Sequence, residues 1–368
     1  MTPARPSVAP LVLPAVAVGI FTVFVGAAVI TAAAAGTLGF DFRAYHDAAR
    51  RLIDGLPLYD PNVTQAGPFG LFLYPPPFAL LVLPFGLFAA ALAAWLWTAA
   101  MLGAFVLGVA VMPVRPWVRW ATILLAGLSW PFAYAVKLGQ VGPLLFLLFA
   151  IGWRWMDRPR ELGASIAAGA LIKVQPGLLL LWAAASRRLG AVAVAVAVSL
   201  VAVVIAAVPT GGLPTWFDYL TILRNVSDPI TTPHNFTAGA IAYQLGAGAA
   251  AAAIIQLTVS LLAIGAVVVS AQIATPAASY LVAVVASQLL SPVLWDHYAM
   301  LLLLPVAWLL DRGYRAAIVI PLATSTVLIS ITPPAAYPVA FVATLVAVFA
   351  VGVARPPETR SLPVAEPA

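Results

Sequence analysis

Residues 8–35 read VAPLVLPAVAVGIFTVFVGAAVITAAAA, and residues 41–61 read DFRAYHDAARRLIDGLPLYDP. The first stretch has no charged side chain and exceeds the roughly 20 apolar residues that cross a bilayer, so it predicts a membrane-spanning helix. The second stretch holds seven of the chain's thirty Asp, Glu, Lys and Arg residues. Because ionised groups do not partition into hydrocarbon, a charge cluster directly after a span indicates a membrane surface or a reactive site.

Composition places the whole chain in one class of protein. Of its 368 residues, 63% are hydrophobic and 8% are charged, which leaves too little polar surface to cover a soluble globule. Apolar runs recur along the chain, so we predict an all-α polytopic membrane protein with a single transmembrane domain over residues 1–368. The chain has no Cys and only three dispersed His, which excludes disulfide and thiolate chemistry and gives no metal-ligand signature.

The basic residues predict how the chain is oriented. The net charge of +6 comes from Arg in short loops, so it indicates membrane orientation rather than nucleic-acid binding. The N-terminal stretch is longer than the core of a signal peptide, so we predict an uncleaved anchor with Arg5 in the cytoplasm. The loops that can share that side carry Arg115 and Arg119, Arg154, Arg158 and Arg160, Arg187 and Arg188, Arg312 and Arg315, and Arg355 and Arg360.

Counting spans from these loops places four polar regions on the opposite side of the membrane. They are the Asp41 segment, residues 137–140, the loop 210–237 and residues 291–297. We therefore predict a multi-pass plasma-membrane protein whose active site faces the extracytoplasmic side. Residues 37–76 form the extracytoplasmic catalytic loop with its juxtamembrane helix, and residues 355–368 form a cytoplasmic tail.

Two stretches do not read as simple spans. Residues 75–113 hold too many apolar residues for one span and include Pro84 and Gly86, which predicts a re-entrant or interfacial helix followed by one span. Residues 162–185 are interrupted at Lys173-Val174-Gln175-Pro176, which predicts two half-helices beside a cavity. Elsewhere we predict single helices, and about ten full spans in total, with helices near 119–136, 143–155, 250–274, 277–291 and 297–310.

Asp41 stands at the junction between the first span and the helix predicted to follow it. It is placed either to cap that helix or to act as a general base for a hydroxyl nucleophile, and the two roles are compatible. Asp47, Arg50, Arg51 and Asp54 fall on the other face of the same helix, which is typical of a solvated surface.

The chain's two lysines are Lys137 and Lys173. A lysine in an apolar segment indicates a functional site, with snorkelling of its ammonium group to the interface as the alternative. Both accounts suit Lys137, whereas Lys173, beside Gln175 in a broken helix, favours a binding or structural role. Tyr74 precedes three prolines and is either an interfacial anchor at a rigid turn or a wall of the site.

Residues 291–297, SPVLWDH, gather an indole, an acid and an imidazole at one helix junction. One interpretation is an interfacial turn anchored by Trp295. The other is a site for an anionic or sugar headgroup, in which His297 contacts phosphate or carries a proton and Trp295 stacks on a pyranose. The loop residues 231–235, TTPHN, are either part of an acceptor site or a surface lid.

Six short motifs follow one another along the chain: Asp41-Phe42-Arg43-Ala44-Tyr45, Gly55-Leu56-Pro57-Leu58-Tyr59, Tyr74-Pro75-Pro76, Gly139-Gln140-Val141-Gly142, Lys173-Val174-Gln175-Pro176 and Ser291-Pro292 to His297. In this order the chain resembles glycosyltransferase family 87, integral-membrane GT-C-type enzymes that use polyprenyl-phosphate sugars, typically mannose. The resemblance covers nearly the whole chain. It implies a GT-C-like fold, with Asp41 as catalytic base and His297 in the second polar loop. The chain has Trp295-Asp296-His297-Tyr298 where a His pair is expected.

The resemblance implies an inverting hexosyltransferase that moves mannose from polyprenyl phosphate to a glycolipid or glycan hydroxyl. Because a polyprenyl phosphate is already an activated leaving group, the reaction needs a base and cations but no covalent intermediate. The candidate phosphate contacts are Arg43, Lys137 and His297. The other candidate substrate-binding residues are Tyr45, Tyr74, Gln140, Lys173, Gln175, Trp295 and Asp296.

The expected partners are the polyprenyl-phosphate sugar donor, the glycolipid or glycan acceptor and the lipid bilayer, with no nucleic acid. No cofactor is expected, since the lipid-linked sugar is a substrate. No metal is expected either, because the acidic residues near Asp41 are spaced along a helix instead of forming a tight pair. The rival function is a transporter or flippase for a lipid-linked solute, which broken helices and intramembrane lysines suit equally well. Against it, the sequence has no inverted repeat and its polar residues gather on one face. A noncatalytic membrane scaffold is the third possible function.

Overall fold

The computed structural model describes residues 9–62, 71–226, 228–325 and 334–354, and within these ranges the chain is helical, with no strand. The α-helices are α1 (Ala9–Ala34), α2 (Phe42–Ile53), α3 (Pro76–Val82), α4 (Ala90–Val111), α5 (Pro116–Gly127), α6 (Trp130–Leu138), α7 (Gly142–Arg154), α8 (Pro159–Ile172), α9 (Leu178–Ala185), α10 (Leu189–Thr210), α11 (Leu213–Val226), α12 (Ala238–Gln244), α13 (Ala249–Ile273), α14 (Pro276–Leu289), α15 (Leu303–Asp311), α16 (Val319–Ala323) and α17 (Ala336–Ala354). Short 3₁₀ helices occupy Leu83–Leu87, Gln175–Gly177, Asp296–Leu302 and Arg315–Ile318.

The predicted count of about ten full spans is not confirmed. Among the described residues, five helices are long and apolar enough to cross a membrane, or six when the bent pair α5 and α6 counts as one. The five are α1, α4, α10, α13 and α17. Other apolar stretches end early: α14 has 14 residues, which gives a rise of about 21 Å against the roughly 30 Å of a hydrocarbon core. Hydropathy marks apolar segments but does not mark where a helix stops inside them.

The single helix predicted at residues 119–136 is wrong, because α5 and α6 meet at an angle of 69°. Two local features explain the break. The side chain of Ser129 caps α6 by accepting from the Phe132 backbone N–H, and Pro131 occupies the first turn of α6, where a missing N–H costs nothing. A new helix therefore begins at Trp130 instead of continuing α5.

The two predicted interruptions are confirmed. Between residues 75 and 113 the short helix α3 and a 3₁₀ turn precede the single span α4. Between residues 162 and 185 helix α8 ends at Ile172, Lys173 has extended backbone angles, and α9 starts at Leu178. Pro176 sits in the first turn of the intervening 3₁₀ helix, since it cannot continue α8.

Helix α14 forms the centre of the core, since each of its residues from 278 to 289 is buried. A helix that is apolar on all sides is expected to be enclosed by others, and α7, α9, α13 and α17 pack around it. Two buried hydrogen bonds fix this packing: Tyr280 donates to the Phe149 carbonyl oxygen at 2.9 Å, and Trp182 donates to Ser279 Oγ at 3.0 Å. The rigid end of α14 leads directly into residues 291–298.

The domain boundaries stay predictions. Several of the segments on which they depend lie outside the described residues. These are Arg5, residues 63–70 of the catalytic loop, and the tail 355–368 with Arg355 and Arg360. Within the loop's described part, α2 is amphipathic, as predicted, with Phe42, Tyr45 and Ala49 buried and Asp47 exposed.

Candidate functional site

Asp41 is held by backbone hydrogen bonds between the end of α1 and the end of α6. The backbone N–H groups of Gly39 and Asp41 donate to the carbonyl oxygens of Lys137 and Leu138, both at 2.9 Å. These carbonyls belong to the last turn of α6, where they have no partner within the helix. The Asp41 carboxylate is therefore placed by two main-chain contacts from an element almost a hundred residues away.

Gly139 makes this close approach possible. Its φ is 73°, a left-handed conformation, and a Cβ at this position would lie 2.7 Å from Phe42 Cβ. Its carbonyl oxygen accepts from Trp97 Nε1 at 2.7 Å, which ties the turn to α4. The turn ends α6 and presents the next residue, Gln140, to Asp41.

Gln140 connects Asp41 to two tyrosines. Its Nε2 donates to an oxygen of the Asp41 carboxylate, and its Oε1 accepts from the Tyr74 hydroxyl at 3.1 Å. The Tyr45 hydroxyl is 2.6 Å from that of Tyr74 and 3.4 Å from Gln140 Oε1, so its single proton goes to one of these two oxygens. An ionised carboxylate only accepts hydrogen bonds, so the amide must turn its N–H₂ to Asp41 and its oxygen to the tyrosines. The Gln140 side chain thus has one orientation that satisfies every partner.

Asp41 does not cap α2 through its side chain, contrary to one of its two predicted roles. It occupies the position before the helix, but its φ of −76° and ψ of −28° are already helical and its carboxylate makes no capping bond. A capping carboxylate would fold back onto the first turn of α2, whereas this one binds Gln140. The carboxylate remains half-buried.

Aromatic rings enclose the tyrosine side of this network. The Tyr45 ring packs edge-on against Tyr74 and Phe78, with centroids 4.8 and 5.2 Å apart, and Phe72 and Trp97 close the cluster. Tyr45 is 1% exposed and Tyr74 is 8% exposed. Their predicted role in substrate binding stays a prediction; in the structure their hydroxyls lie against Gln140.

Tyr59 anchors the same wall from the loop after α2. Its hydroxyl donates to the Tyr74 carbonyl oxygen at 2.5 Å, and its ring stacks on Phe72. Burial raises the pKa of Tyr59, so the hydroxyl stays protonated and keeps donating. In the sequence analysis Tyr59 had no role of its own, because its position in the chain does not indicate a contact with Tyr74.

Lys173 lies on the other side of Tyr74. Its ammonium group donates to the Tyr298 hydroxyl at 2.7 Å and is 4.1 and 5.5 Å from the ring centroids of Tyr298 and Tyr74. These contacts satisfy the half-buried lysine through cation–π interaction and a hydrogen bond. Tyr298 was missed as a site residue, although it directly follows the Trp295-Asp296-His297 motif.

His297 is 3% exposed, and neither ring nitrogen has a hydrogen-bond partner among the described residues. Its Nδ1 is 3.5 Å from Asp296 Oδ1, too far for a good hydrogen bond. Asp296 instead accepts from the His297 backbone N–H at 2.7 Å. The imidazole is therefore a buried polar group held in place by its neighbours but left unpaired.

A small cavity separates His297 from Gln140. It measures about 10 Å³, enough for roughly one water molecule. Its walls include Gln140, Lys173, Gln288, His297 and Tyr298. Gln288 Oε1 is also buried without a partner. The structure therefore has a small cavity beside the broken helix, as predicted. The cavity lies between Gln140 of the Asp41 network and His297.

The two other predicted cations belong to the segments that meet at Asp41. Arg43 donates to the Gly36 carbonyl oxygen at 2.9 Å, at the end of α1. Lys137 is half-buried, with its ammonium group 5.8 Å from the ring centroid of Tyr134. The Tyr134 ring also packs edge-on against His297, with centroids 6.3 Å apart. Lys137 and His297 thus both lie near the ring of Tyr134.

Two predicted residues are not joined to this network by a described bond. Trp295 is half-buried and packs against the hydrophobic core, and Gln175 Nε2 is buried without a partner. Residues 291–295 are fixed by Asn235, whose Nδ2 donates to the Pro292 carbonyl oxygen at 3.0 Å and whose Oδ1 accepts from the Leu294 N–H at 2.9 Å. Asn235 belongs to the segment predicted to be either part of an acceptor site or a surface lid. In the structure its side chain is fully buried and holds residues 291–295 through these hydrogen bonds.

No three His, Asp or Glu side chains converge in the described ranges as a group that could hold a metal ion. The charged and polar groups instead form three linked parts: the Asp41 network, the Lys173 contact with Tyr298, and the cavity beside His297. Such a site offers a carboxylate that can take a proton, cations beside it, and a pocket with unpaired donors and acceptors.

Comparison with known proteins agrees with this chemistry. No curated protein sequence and no solved structure matches the chain. The model of glycosyltransferase family 87 matches residues 72–293, more than half of the chain. The matched region contains Tyr74, Lys137, Gln140, Lys173 and Gln175, whereas Asp41 lies 31 residues before its start and His297 lies four residues after its end. On this match the chain, a membrane protein by its apolar helices, belongs to glycosyltransferase family 87.

Proposed function

We propose that this glycosyltransferase moves a sugar, most simply mannose, from a polyprenyl-phosphate donor to a hydroxyl of a glycolipid or glycan. In this proposal the fold is GT-C-like, the reaction inverts the anomeric carbon, and Asp41 is the general base. The observation that carries the proposal is the Asp41 carboxylate itself. It is half-buried, fixed by two main-chain bonds and Gln140, and lies between elements that bear Arg43 and Lys137.

The reaction needs only one proton transfer and one displacement. Asp41 takes the proton of the acceptor hydroxyl while the hydroxyl oxygen attacks the anomeric carbon. The bond from that carbon to the donor phosphate oxygen breaks, and the phosphate leaves with the electron pair. Attack from the side opposite the leaving group gives inversion, and a fixed base next to the acceptor lowers the entropic part of the barrier.

The cations stabilise the departing phosphate. Arg43 follows Asp41 by two residues, and Lys137 lies in the last turn of α6, whose carbonyl oxygens bind the backbone of Gly39 and Asp41. The proposal therefore assigns both cations to the charge that develops beside Asp41. Lys173 adds positive potential from behind the Tyr74 ring. His297 has unpaired nitrogens at the cavity, which suits a hydrogen bond to substrate or phosphate.

Contacts between the basic loops support an extracytoplasmic site. Arg115 pairs with Asp311 at 2.9 Å, beside Arg312, and Arg188 pairs with Asp157 at 2.9 Å, between Arg154 and Arg158. Loops predicted to share the cytoplasmic side therefore touch in pairs. Arg on one side of the membrane is the usual cytoplasmic signal, which leaves Asp41 for the other side of the plasma membrane.

One observation favours the rival transporter function. The chain between α8 and α9 is unwound and carries Lys173, and unwound backbone lining a cavity is common in transporters. A transporter does not need the Asp41 carboxylate as a base. Replacement of Asp41 therefore distinguishes the two functions.

The test is transfer of labelled mannose from polyprenyl-phosphate mannose by membranes that contain wild type, Asp41→Asn or Asp47→Asn. Asp47 is exposed on the same helix and serves as the matched control. A general base contributes about 100- to 10,000-fold, so Asp41→Asn should lose transfer by that factor while Asp47→Asn keeps it. Equal transfer by wild type and Asp41→Asn would remove Asp41 from the chemistry. A wild type that transfers no mannose but carries labelled lipid across the bilayer would favour the transporter.

A further inference from the structure

An apolar groove lies between α1 and the bent pair α5 and α6, apart from the cavity at His297. Its volume is about 240 Å³. The wall from α1 is a stripe at helical spacing, and the opposite wall comes from the α5–α6 junction. The lining residues are Phe24, Ala27, Ala28, Thr31, Gly127, Leu128, Ser129, Trp130 and Ala133.

The groove follows from one close crossing and one bend. At Gly127 the two helices touch so closely that a Cβ would lie 2.8 Å from Phe21 Cα. Beyond this crossing α1 continues unbroken to Ala34, while α6 turns away from the direction of α5 by 69°. A straight helix beside a bent pair leaves a wedge of space, which opens from Gly127 towards the end of α1.

The lining suits a hydrocarbon ligand. The two hydroxyl groups in the groove are already used within the protein: Thr31 donates to the Ala27 carbonyl oxygen at 2.7 Å, and Ser129 caps α6. The other side chains are apolar. Phe24, Ala27 and Thr31 are exposed, so the groove is open along α1. Since α1 is a candidate membrane span, that open side faces the lipid chains of a bilayer.

The wall of the groove leads to the site. Trp130, Ala133 and Lys137 follow at intervals of three and four residues, which places them on one face of α6. Seven residues of helix separate Trp130 from Lys137 by about 10 Å. The Trp130 ring stacks on Tyr134 at 5.1 Å, and Tyr134 in turn faces Lys137 and His297. A chain in the groove therefore reaches a cation within two helical turns.

We propose that the groove binds the hydrocarbon chain of the donor lipid and that Lys137 receives the phosphate at the end of that chain. The inference rests on the proposed function. It selects the donor over the acceptor because in a polyprenyl phosphate the charged group follows the hydrocarbon directly. In an acceptor glycolipid, sugar units separate the chain from the reacting hydroxyl. A second cation, Arg43, donates to the Gly36 carbonyl oxygen two residues after α1 ends.

The experiment compares Ala27→Phe, which fills the groove, with Ile30→Phe, which adds a ring to an exposed position of the same helix outside it. Purified protein in nanodiscs is titrated with long-chain polyprenyl phosphate and with a short-chain analogue of the same headgroup. Losing contact with about two CH₂ groups corresponds to about tenfold in affinity. Ala27→Phe should therefore weaken long-chain binding about tenfold, while Ile30→Phe leaves both ligands unchanged.

Three further outcomes decide between explanations. Short-chain binding that is unchanged in Ala27→Phe supports the groove, since that ligand does not reach it. Long-chain binding that Ala27→Phe does not weaken, or that excess phosphatidylglycerol abolishes, overturns it, because the groove then holds bulk lipid or nothing relevant. A wild type that binds no polyprenyl phosphate rejects the donor class itself, so failure of the proposed function is separate from failure of the groove. Asp41→Asn should bind both ligands as wild type does.

Discussion

The two halves of the site differ in how their buried polar groups are satisfied. Around Asp41, the Gln140 amide and the hydroxyls of Tyr45 and Tyr74 all have partners. Around the cavity, both nitrogens of His297 and the oxygen of Gln288 have none among the described residues. A satisfied network fixes geometry, whereas unpaired buried groups cost stability unless a ligand or water binds them. The Asp41 network is therefore suited to hold a reactive group in a fixed position. The cavity beside His297 is suited to bind a polar ligand group or a water molecule.

Breaking the satisfied half should give the largest effect. Gln140→Leu removes the donor to Asp41 and the acceptor of the Tyr74 hydroxyl, so we expect a loss of about 1–3 kcal/mol in the free energy of unfolding. Transfer should fall by about 100-fold, because the carboxylate is no longer oriented. Thermal unfolding in detergent and initial rates of transfer measure the two effects.

Gln288→Leu is the matched control for stability. Gln288 is also a buried glutamine, but its oxygen is unpaired, so its replacement should cost less than that of Gln140. If the two variants lose the same free energy of unfolding, the hydrogen bonds of Gln140 do not contribute more to stability than the contacts of Gln288, and the contrast between the two halves is contradicted.

The unsatisfied half should respond in the opposite sense. His297→Phe removes an unpaired buried imidazole, so we expect the free energy of unfolding to rise by about 1 kcal/mol while transfer falls by about tenfold. His46 provides the comparison, because it is equally buried but its Nε2 is 3.0 Å from the Phe88 carbonyl oxygen. His46→Phe should lower the free energy of unfolding by about 1 kcal/mol. A His297→Phe variant that is destabilised as much as His46→Phe would refute this reading of the cavity.

A single hydroxyl should give the smallest effect. Tyr74→Phe removes one donor to Gln140, but Tyr45 stays 3.4 Å from the same oxygen. We expect a loss of about 1 kcal/mol in stability and a reduction of transfer by no more than about fivefold. Tyr280→Phe, which removes a buried hydroxyl bonded to Phe149 far from the site, should cost similar stability with no change in transfer. A larger loss of transfer in Tyr74→Phe would give its hydroxyl a direct role.

Local sequence signals predicted part of this fold. Pro176 and Pro84 marked the interruptions before α9 and α4, because proline lacks the N–H that continues a helix. Proline alone is not a sufficient signal, since Pro14 and Pro209 lie inside α1 and α10. The bend between α5 and α6 was missed, although Ser129 followed by Pro131 is a helix-start signal within an apolar run. Spans shorter than the bilayer were missed as well, since hydropathy does not report helix ends.

The site was predicted residue by residue but not as a network. Asp41, Gln140 and Lys173 were singled out by charge or motif, whereas the contact between Asp41 and Gln140 joins positions 99 residues apart. No periodicity encodes such a contact. The roles of Tyr298 and Asn235 were missed for the same reason: each is defined by a partner from a distant helix or loop.

The most direct test of the account is the pH dependence of transfer in Gln140→Glu. This variant keeps the size of the side chain but places a second carboxylate against Asp41. Like charges at this distance disfavour ionisation of both groups, and a base acts only when ionised. We predict that the acid limb of kcat/KM moves to higher pH, and that the rate at high pH stays below that of wild type, because the ionised side chain of the variant donates no hydrogen bond to Asp41. An acid limb that stays where it is in wild type would contradict the claim that Gln140 holds the reactive base.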